Sequence, residues 1–192
     1  MTEPDATDIP TDDPRPGDLR SASSLVLVNT GPGKGKTTAA LGVIIRGVGR
    51  GWSVAVVQFL KSGDWRTGEE KVCRQLGVDW WAMGDGFTWD SPDLTVDQAV
   101  AAGAWDHARG LIRAGAHQLV VLDEITYPIN WDWIAVDDVV TTIVERPDHV
   151  SIVCTGRDAP QALIDVADTV TEMAEVKHAY QSGIRAKKGI DY

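Results

Sequence analysis

The chain has no apolar run approaching the roughly 18 residues that a membrane-crossing helix needs. Its first residues are acidic, without the basic-then-apolar order of a secretory signal. Cysteine is scarce: Cys73 and Cys154 are the only two, and they lie far apart. That spacing excludes a disulfide framework and a zinc-ligand pattern, and each reads as a reduced, partly buried small residue. Basic charge is also short, with 18 Lys and Arg against 28 Asp and Glu and a formal net charge of −10. A chain like this, with no long basic run, is a poor nucleic-acid binder, because phosphate contacts supply most of that affinity. Any phosphate binding has to be local. No Ser/His/Asp or Cys/His set stands out as a nucleophilic centre. These absences make the cytoplasm the default compartment, with neither membrane nor nucleic acid as a partner.

What is present is a globular composition, 43% apolar over 192 residues, enough for one domain with a full-sized core. Residues 1–20 hold six acids against two arginines, together with Pro4, Pro10, Pro14 and Pro16. Such a stretch buries too little to offset its ordering entropy, and it reads as a disordered acidic arm or as a lid that orders over a ligand. Residues 21–192 form the single domain, with a C-terminal extension from about residue 177.

From residue 24 short apolar runs alternate with helical periodicity. Leu25 to Val28, Val54 to Phe59, Val78 to Ala82, Leu119 to Leu122, Val150 to Cys154 and Thr169 to Val176 read as strands. Ala39 to Val48, residues 67–76, a long segment opened by a Thr95/Gln98 capping box, and Val136 to Val144 before Pro147 read as helices. Asp158 is expected to cap a further helix with Pro160 in its first turn. Alternation of this kind predicts an α/β domain with a mostly parallel sheet and ligands beyond the carboxyl ends of the strands.

The loop between the first strand and first helix reads Thr-Gly-Pro-Gly-Lys-Gly-Lys-Thr-Thr at 30–38. Gly35, Lys36 and Thr37 match the end of the phosphate-loop pattern, while its first glycine position holds Thr30 and Gly31 follows one residue late. Gly31, Pro32, Gly33 and Gly35 let backbone N–H groups turn toward an anion, and the helix start adds its positive dipole end. Lys36 supplies a point charge to phosphate oxygens and Lys34 a second; Thr38 completes the nucleotide-binding stretch. The Thr37 hydroxyl suits Mg²⁺, a hard cation. At the end of an apolar strand, Asp123-Glu124 is the acidic partner, one carboxylate holding Mg²⁺ directly or through water. A kinase, an ATPase and an adenosyl transferase all remain open at this point.

Eight tryptophans is a high count, and Trp80, Trp81, Trp89, Trp131 and Trp133 fall in or beside loops. They fit a large flat apolar ligand or, more plainly, core filling, the latter least for Phe87 and Trp89 between glycines and a proline-bearing loop. Arg157 reads as a phosphate contact or as a carboxylate-paired arginine. Gln58 and Lys61 are divided between nucleotide contact and structure, Arg46 is weaker, and His178 reads as structural.

Several blocks in order carry a resemblance over about residues 24–192. They are the loop at 30–38, Val-Gln-Phe-Leu-Lys at 57–61, Gly-Asp-Gly-Phe-Thr-Trp at 84–89, Val-Leu-Asp-Glu-Ile-Thr-Tyr at 121–127, Cys-Thr-Gly-Arg at 154–157, and the stretch from Val176 to Tyr192. Together they resemble the P-loop-type ATP:corrinoid adenosyltransferases of cobalamin biosynthesis. The resemblance implies a RecA-like, three-layer P-loop NTPase fold and a homodimer. It implies attack by a cob(I) corrinoid, cob(I)alamin or cob(I)yrinic acid a,c-diamide, on the 5′ carbon of ATP, with triphosphate leaving. It implies that Lys36 and Thr37 serve phosphate and Mg²⁺, that Glu124 is a metal-binding carboxylate, and that Phe87 and Trp89 lie on the lower corrin face, keeping cobalt without a lower axial ligand. A flavodoxin-like or flavin reductase is the implied electron source. The rivals are a small-molecule kinase, with Asp123 recruited as base, and an ATP-driven switch.

Overall fold

The computed structural model describes residues 15–62, 67–84 and 94–191, with the side chains of residues 61 and 62 excepted. Six strands form one sheet: β1 (Val26–Thr30), β2 (Val54–Ser62), β3 (Asp79–Gly84), β4 (Leu119–Asp123), β5 (Ser151–Thr155) and β6 (Thr169–Glu172). Their spatial order is β3-β2-β4-β5-β1-β6, and every pairing is parallel. The chain leaves β1 for β2 across two positions that β4 and β5 later fill. As a result all six carboxyl ends point to one edge of the sheet.

Strand periodicity sorts the buried residues into two layers. On one face Val26, Val28, Ala55, Val57, Val120, Leu122, Ile152 and Cys154 pack with Ala104, Trp105, Ala108 and Ile112 of α3 (Leu94–Ala114) and Val139 and Ile143 of α5 (Val136–Val144). Leu163 of α6 (Gln161–Asp165) joins them. On the other face Val54, Val56, Leu119, Val121 and Val153 pack under Ala40 and Ile44 of α1 (Lys36–Gly49) and Cys73 of α2 (Gly68–Gln75). Helix, sheet, helix is the three-layer α/β architecture expected from the alternation. Both cysteines are free and buried, and burial pushes the Cys154 thiol up to about 12, so it stays a protonated core residue.

Several local expectations shift. Thr95 is already helical within α3, whose described residues begin at Leu94, so it is not the residue that caps it. Pro160, not Asp158, is the N-cap of α6; Asp158 stands outside it in a left-handed conformation with φ 52°. A short helix α4 (Thr126–Asn130) follows β4, where no helical period was legible in five residues. The last strand ends at Glu172 instead of Val176, because the backbone beyond it turns to meet the phosphate loop: Met173 N–H donates to Thr30 O at 2.9 Å and Met173 O accepts from Gly33 N–H at 2.7 Å. Of the expected arm, residues 15–20 are exposed and carry no helix or strand, and 1–14 lie outside the described residues. No helix among the described residues is long and apolar enough to cross a membrane.

Adjacent isoleucines on α1 test this layering. Ile44 is 0% exposed and Ile45 58%. Ile44→Ala is expected to lower unfolding free energy by about 2–5 kcal/mol, and Ile45→Ala to change it by no more than about 0.5 kcal/mol, both read by urea denaturation.

Candidate active site

On the α1-side face four strands place polar residues at the same level. Val56, Val121, Val153 and Leu27 belong to the apolar layer, and two residues further along come Gln58, Asp123, Thr155 and Asn29. Register pairs Gln58 with Asp123 and Asn29 with Thr155, and Leu122 with Cys154 one residue earlier. All four are buried, Gln58 and Asp123 at 1%, Thr155 at 0% and Asn29 at 6% exposure. Buried polar groups at this depth need partners, and they find them in one another. Gln58 donates from Nε2 to Asp123 Oδ2 at 2.9 Å, and Thr155 donates from Oγ1 to Asp123 Oδ1 at 2.7 Å. Thr37, in the first turn of α1, donates from Oγ1 to Asp123 Oδ1 at 2.8 Å. Trp80 on β3 donates its indole N–H to Gln58 Oε1 at 3.0 Å, which extends the row toward the sheet edge. Asn29 reaches the Lys36 carbonyl at 3.4 Å from below.

The phosphate loop sits on this row. Gly31 and Gly35 adopt φ of 94° and 108°. Gly35 is the N-cap of α1, which has no side-chain cap and no acid in its first turn. The first amides of the helix thus keep their donor capacity and the positive end of the dipole. Lys36 curls back so that its Nζ donates to Gly31 O at 2.8 Å and Gly33 O at 2.5 Å. Burial, then the neighbouring Arg157 charge, lower its pKa from the usual lysine value, while Glu124, Asp158 and Glu175 oppose the shift.

Two of the glycines serve a purpose beyond lining an anion site. A Cβ on Gly33 would lie 2.7 Å from the carbonyl oxygens of Met173 and Ala174, and one on Gly31 2.6 Å from Met173 O. The loop is pressed against the chain leaving β6, and Gly33 gives its N–H to that chain instead of turning it inward.

A cleft of about 540 Å³ opens over the loop. Residues 33–38 line it together with Leu41, Gly68, Glu69, Glu124, Tyr127, Arg157 and residues 189–191. Gly33, Lys34, Gly35, Lys36, Thr37, Thr38, Glu124 and Arg157, all singled out from sequence, line this one cleft. Gly31 lies behind the loop, Pro32 is exposed, and Asp123 sits beneath the cleft, not in its lining. Gln58 is a buried bridge and not a nucleotide contact. Arg46 is in the last turn of α1, away from the cleft. His178 accepts the Tyr180 N–H at 3.0 Å and caps the closing 3₁₀ turn (Ala179–Ser182), a structural role. Phe87 and Trp89 lie outside the described residues, as does the Lys61 side chain. Trp80 is a core residue at 3% exposure, Trp81 packs edge-on against His107 with ring centroids 4.6 Å apart, and Trp131 and Trp133 cluster with Tyr127.

Sequence reasoning missed the contributions of Tyr127, Thr155 and Asp191. Burial, then the Glu124 charge, raise the Tyr127 pKa, so it stays a protonated phenol. Asp191 pairs with Lys34 and accepts the Lys187 N–H at 2.8 Å; that backbone bond, then the one from Lys34, hold its carboxyl below the usual range. The loop carrying Arg157 is tied to α4, since Thr126 donates to Arg157 O at 2.6 Å and Asn130 to Asp158 O at 3.0 Å. Gly156, at φ 142°, lies where a Cβ would fall 2.0 Å from Thr126 Oγ1.

Gly33→Ala separates the two uses of the loop. The variant is expected to keep its far-ultraviolet circular dichroism but to lose roughly tenfold or more in ATP affinity by calorimetry, because the loop has to back away from Met173 and Ala174.

Comparison with known proteins places this site in a family. Residues 22–192 match the model of the ATP:corrinoid adenosyltransferase family BtuR/CobO/CobP. The corrinoid adenosyltransferase CobA of Salmonella typhimurium is 39% identical over 180 residues, covering 94% of this chain and 91% of the relative. The corrinoid adenosyltransferases of a Sinorhizobium species and of Pseudomonas aeruginosa are 43% and 42% identical, covering 88% and 90% of this chain and 80% and 86% of theirs. With a phosphate loop, an acidic strand end and an arginine converging on one cleft, and with this match across the whole described domain, the chain belongs to the ATP:corrinoid adenosyltransferase family.

Proposed function

We propose that the chain transfers the 5′-deoxyadenosyl group of ATP to the cobalt of a reduced cob(I) corrinoid, releasing triphosphate, in the synthesis of adenosylcobalamin. The observation that carries the reading is the cleft itself: it gathers Lys34, Lys36 and Arg157 over a phosphate loop, with the Thr37 hydroxyl and the Glu124 carboxylate in the same lining. The attacking Co(I) electron pair forms the Co–C bond, the C5′–O bond breaks, and triphosphate leaves with the electron pair of the broken bond. So strong a nucleophile needs no deprotonation. Charge neutralisation on the leaving group and alignment at the 5′ carbon are what the protein has to supply. Lys36, Lys34, Arg157 and the open amides of α1 suit the first task.

The kinase reading would recruit Asp123 as the base that activates an acceptor. That carboxylate is 1% exposed and receives three donors, which leaves it no geometry for taking a proton from a substrate in the cleft.

Magnesium fits the residues present. Thr37 gives its single proton to Asp123, so the lone pairs of its oxygen remain for a hard cation, and the Glu124 carboxylate lines the same cleft. Among the described residues no group of three or more His, Cys, Asp or Glu forms a cage. This suits Mg²⁺, which is commonly held by one or two protein oxygens, substrate phosphates and water. When bound, the ion would neutralise charge on the triphosphate. Thr37 and Glu124 would hold it, with Asp123 fixing Thr37 from beneath.

Phe87 and Trp89 are assigned to the lower corrin face on the family resemblance, where they exclude water and a lower axial ligand from cobalt. A flavodoxin-like or flavin reductase as electron donor, a homodimeric assembly and a cytoplasmic location belong to the same reading.

The test is anaerobic incubation of the chain with ATP, Mg²⁺ and chemically generated cob(I)alamin. A light-sensitive alkyl-cobalt spectrum with stoichiometric triphosphate is the expected result; an unchanged Co(I) spectrum from folded, ATP-bound protein would sink the assignment. Lys36→Ala is expected to abolish ATP binding. Trp89→Ala is expected to leave ATP binding intact while crippling turnover of Co(II) corrinoid under mild reductant, and wild-type turnover would remove that loop from the site.

A further inference from the structure

Glu124 follows β4 in a left-handed backbone conformation, φ 66°, that residues with a side chain rarely adopt. Something has to hold it there. Its N–H donates to Thr155 Oγ1 at 2.9 Å, and the same hydroxyl donates its proton to Asp123 Oδ1 at 2.7 Å. Asp123 Oδ1 is also the acceptor of the Thr37 hydroxyl. Thr155 itself is 0% exposed and does not line the cleft. Its place follows from the strand order: β5 lies between β4 and β1, so its last residue comes between the acidic strand end and the strand that launches the phosphate loop.

We propose that Thr155 is the positioning residue of the metal–triphosphate site. Its hydroxyl ties the Glu124 backbone to Asp123, thereby aiming the Glu124 carboxylate into the cleft and fixing the oxygen that orients Thr37. This rests on the reading that Thr37 and Glu124 hold Mg²⁺. A hydroxyl is the only group of this size that accepts from an amide and donates to a carboxylate at once. Valine has nearly the same shape and does neither. Serine does both. A role confined to packing would follow volume, so valine would be tolerated and serine would be the worse replacement. A positioning role reverses that order.

The experiment uses the full chain and calorimetric ATP binding across a Mg²⁺ series, with thermal melts of each variant. Thr155→Val and Thr155→Ala are expected to raise the Mg²⁺ concentration for half-maximal ATP affinity about tenfold or more, the usual size for loss of a group that orients a metal ligand. Thr155→Ser is expected to stay within about twofold of wild type. Wild-type Mg²⁺ dependence in the valine and alanine variants, or a serine variant as impaired as valine, would overturn the proposal. A wild-type protein whose ATP binding ignores Mg²⁺ overturns the metal reading as well, so the two failures are told apart by which protein shows them. A second readout needs no variant. Hydrogen exchange at the Glu124 amide of the wild-type protein is expected to be slowed about a hundredfold or more relative to an unprotected amide; unprotected exchange there would remove the bond on which the inference stands.

Discussion

Everything at the carboxyl edge of the sheet is arranged around the Asp123 carboxylate. It is buried at 1% exposure, and such a group is tolerated only when its acceptor positions are filled. Three donors fill them, one from each of three elements: Gln58 from β2, Thr37 from α1 and Thr155 from β5. Because the three come from different elements, the carboxylate fixes those elements against one another. It sets the height at which α1 begins, and so where the phosphate loop sits. It also anchors the hydroxyl that holds the strained backbone of Glu124. Removing one donor would leave the carboxylate under-satisfied in a poorly solvated place, an effect larger than the net worth of the single bond.

This row explains what could and could not be read from sequence. The strands and their burial on both faces were legible because Leu119 to Leu122 and Val150 to Cys154 are uninterrupted apolar runs. The residues of the cleft were legible because phosphate chemistry demands glycines, a lysine and a hydroxyl at fixed spacing. The row was not, because it is a relation between strands. Gln58, Asp123, Thr155 and Asn29 are each one polar residue in or at the end of a buried strand, and only the register shows that they share a level. A signal did exist in the repeated pattern of an apolar run followed by a polar residue, but its meaning depends on strand order. Thr95 and Asp158 failed as caps for the opposite reason. Both fit a local motif, but Thr95 is itself helical in α3 and Pro160 takes the cap position of α6.

The displaced glycine of the phosphate loop has a structural reason. The strict pattern places glycine where this chain has Thr30, and here Thr30 is the last residue of β1, with its hydroxyl accepting the Ala159 N–H at 3.0 Å. The left-handed turn comes at Gly31 instead, immediately against Met173. Gly33 then hands its amide to Met173 O, and Lys36 is wrapped by the carbonyls of Gly31 and Gly33. The loop is thus stiffened from outside by the chain beyond β6 and from inside by its own lysine. Preorganisation of this kind reduces the ordering penalty when a polyanion arrives. It also links the C-terminal segment to the site, since that segment packs on the loop at Met173 and Ala174 and returns to it at Asp191, the partner of Lys34.

The electrostatics of the cleft favour a leaving group over a proton transfer. Lys36 has its pKa lowered by burial and by Arg157, so with the cleft empty two like charges face each other at some expense. A triphosphate bound as proposed would turn that repulsion into shared attraction, and the interaction would strengthen as negative charge gathers on the departing oxygen. Tyr127, which also lines the cleft, has its pKa raised by burial and by the Glu124 charge and remains a phenol, able to donate but not to act as a base. A cleft that gathers Lys34, Lys36 and Arg157 at an uncapped helix start stabilises an anion that forms within it. Transfer to a nucleophile that carries its own electron pair, with the polyphosphate as the departing group, is the reaction such an arrangement accelerates.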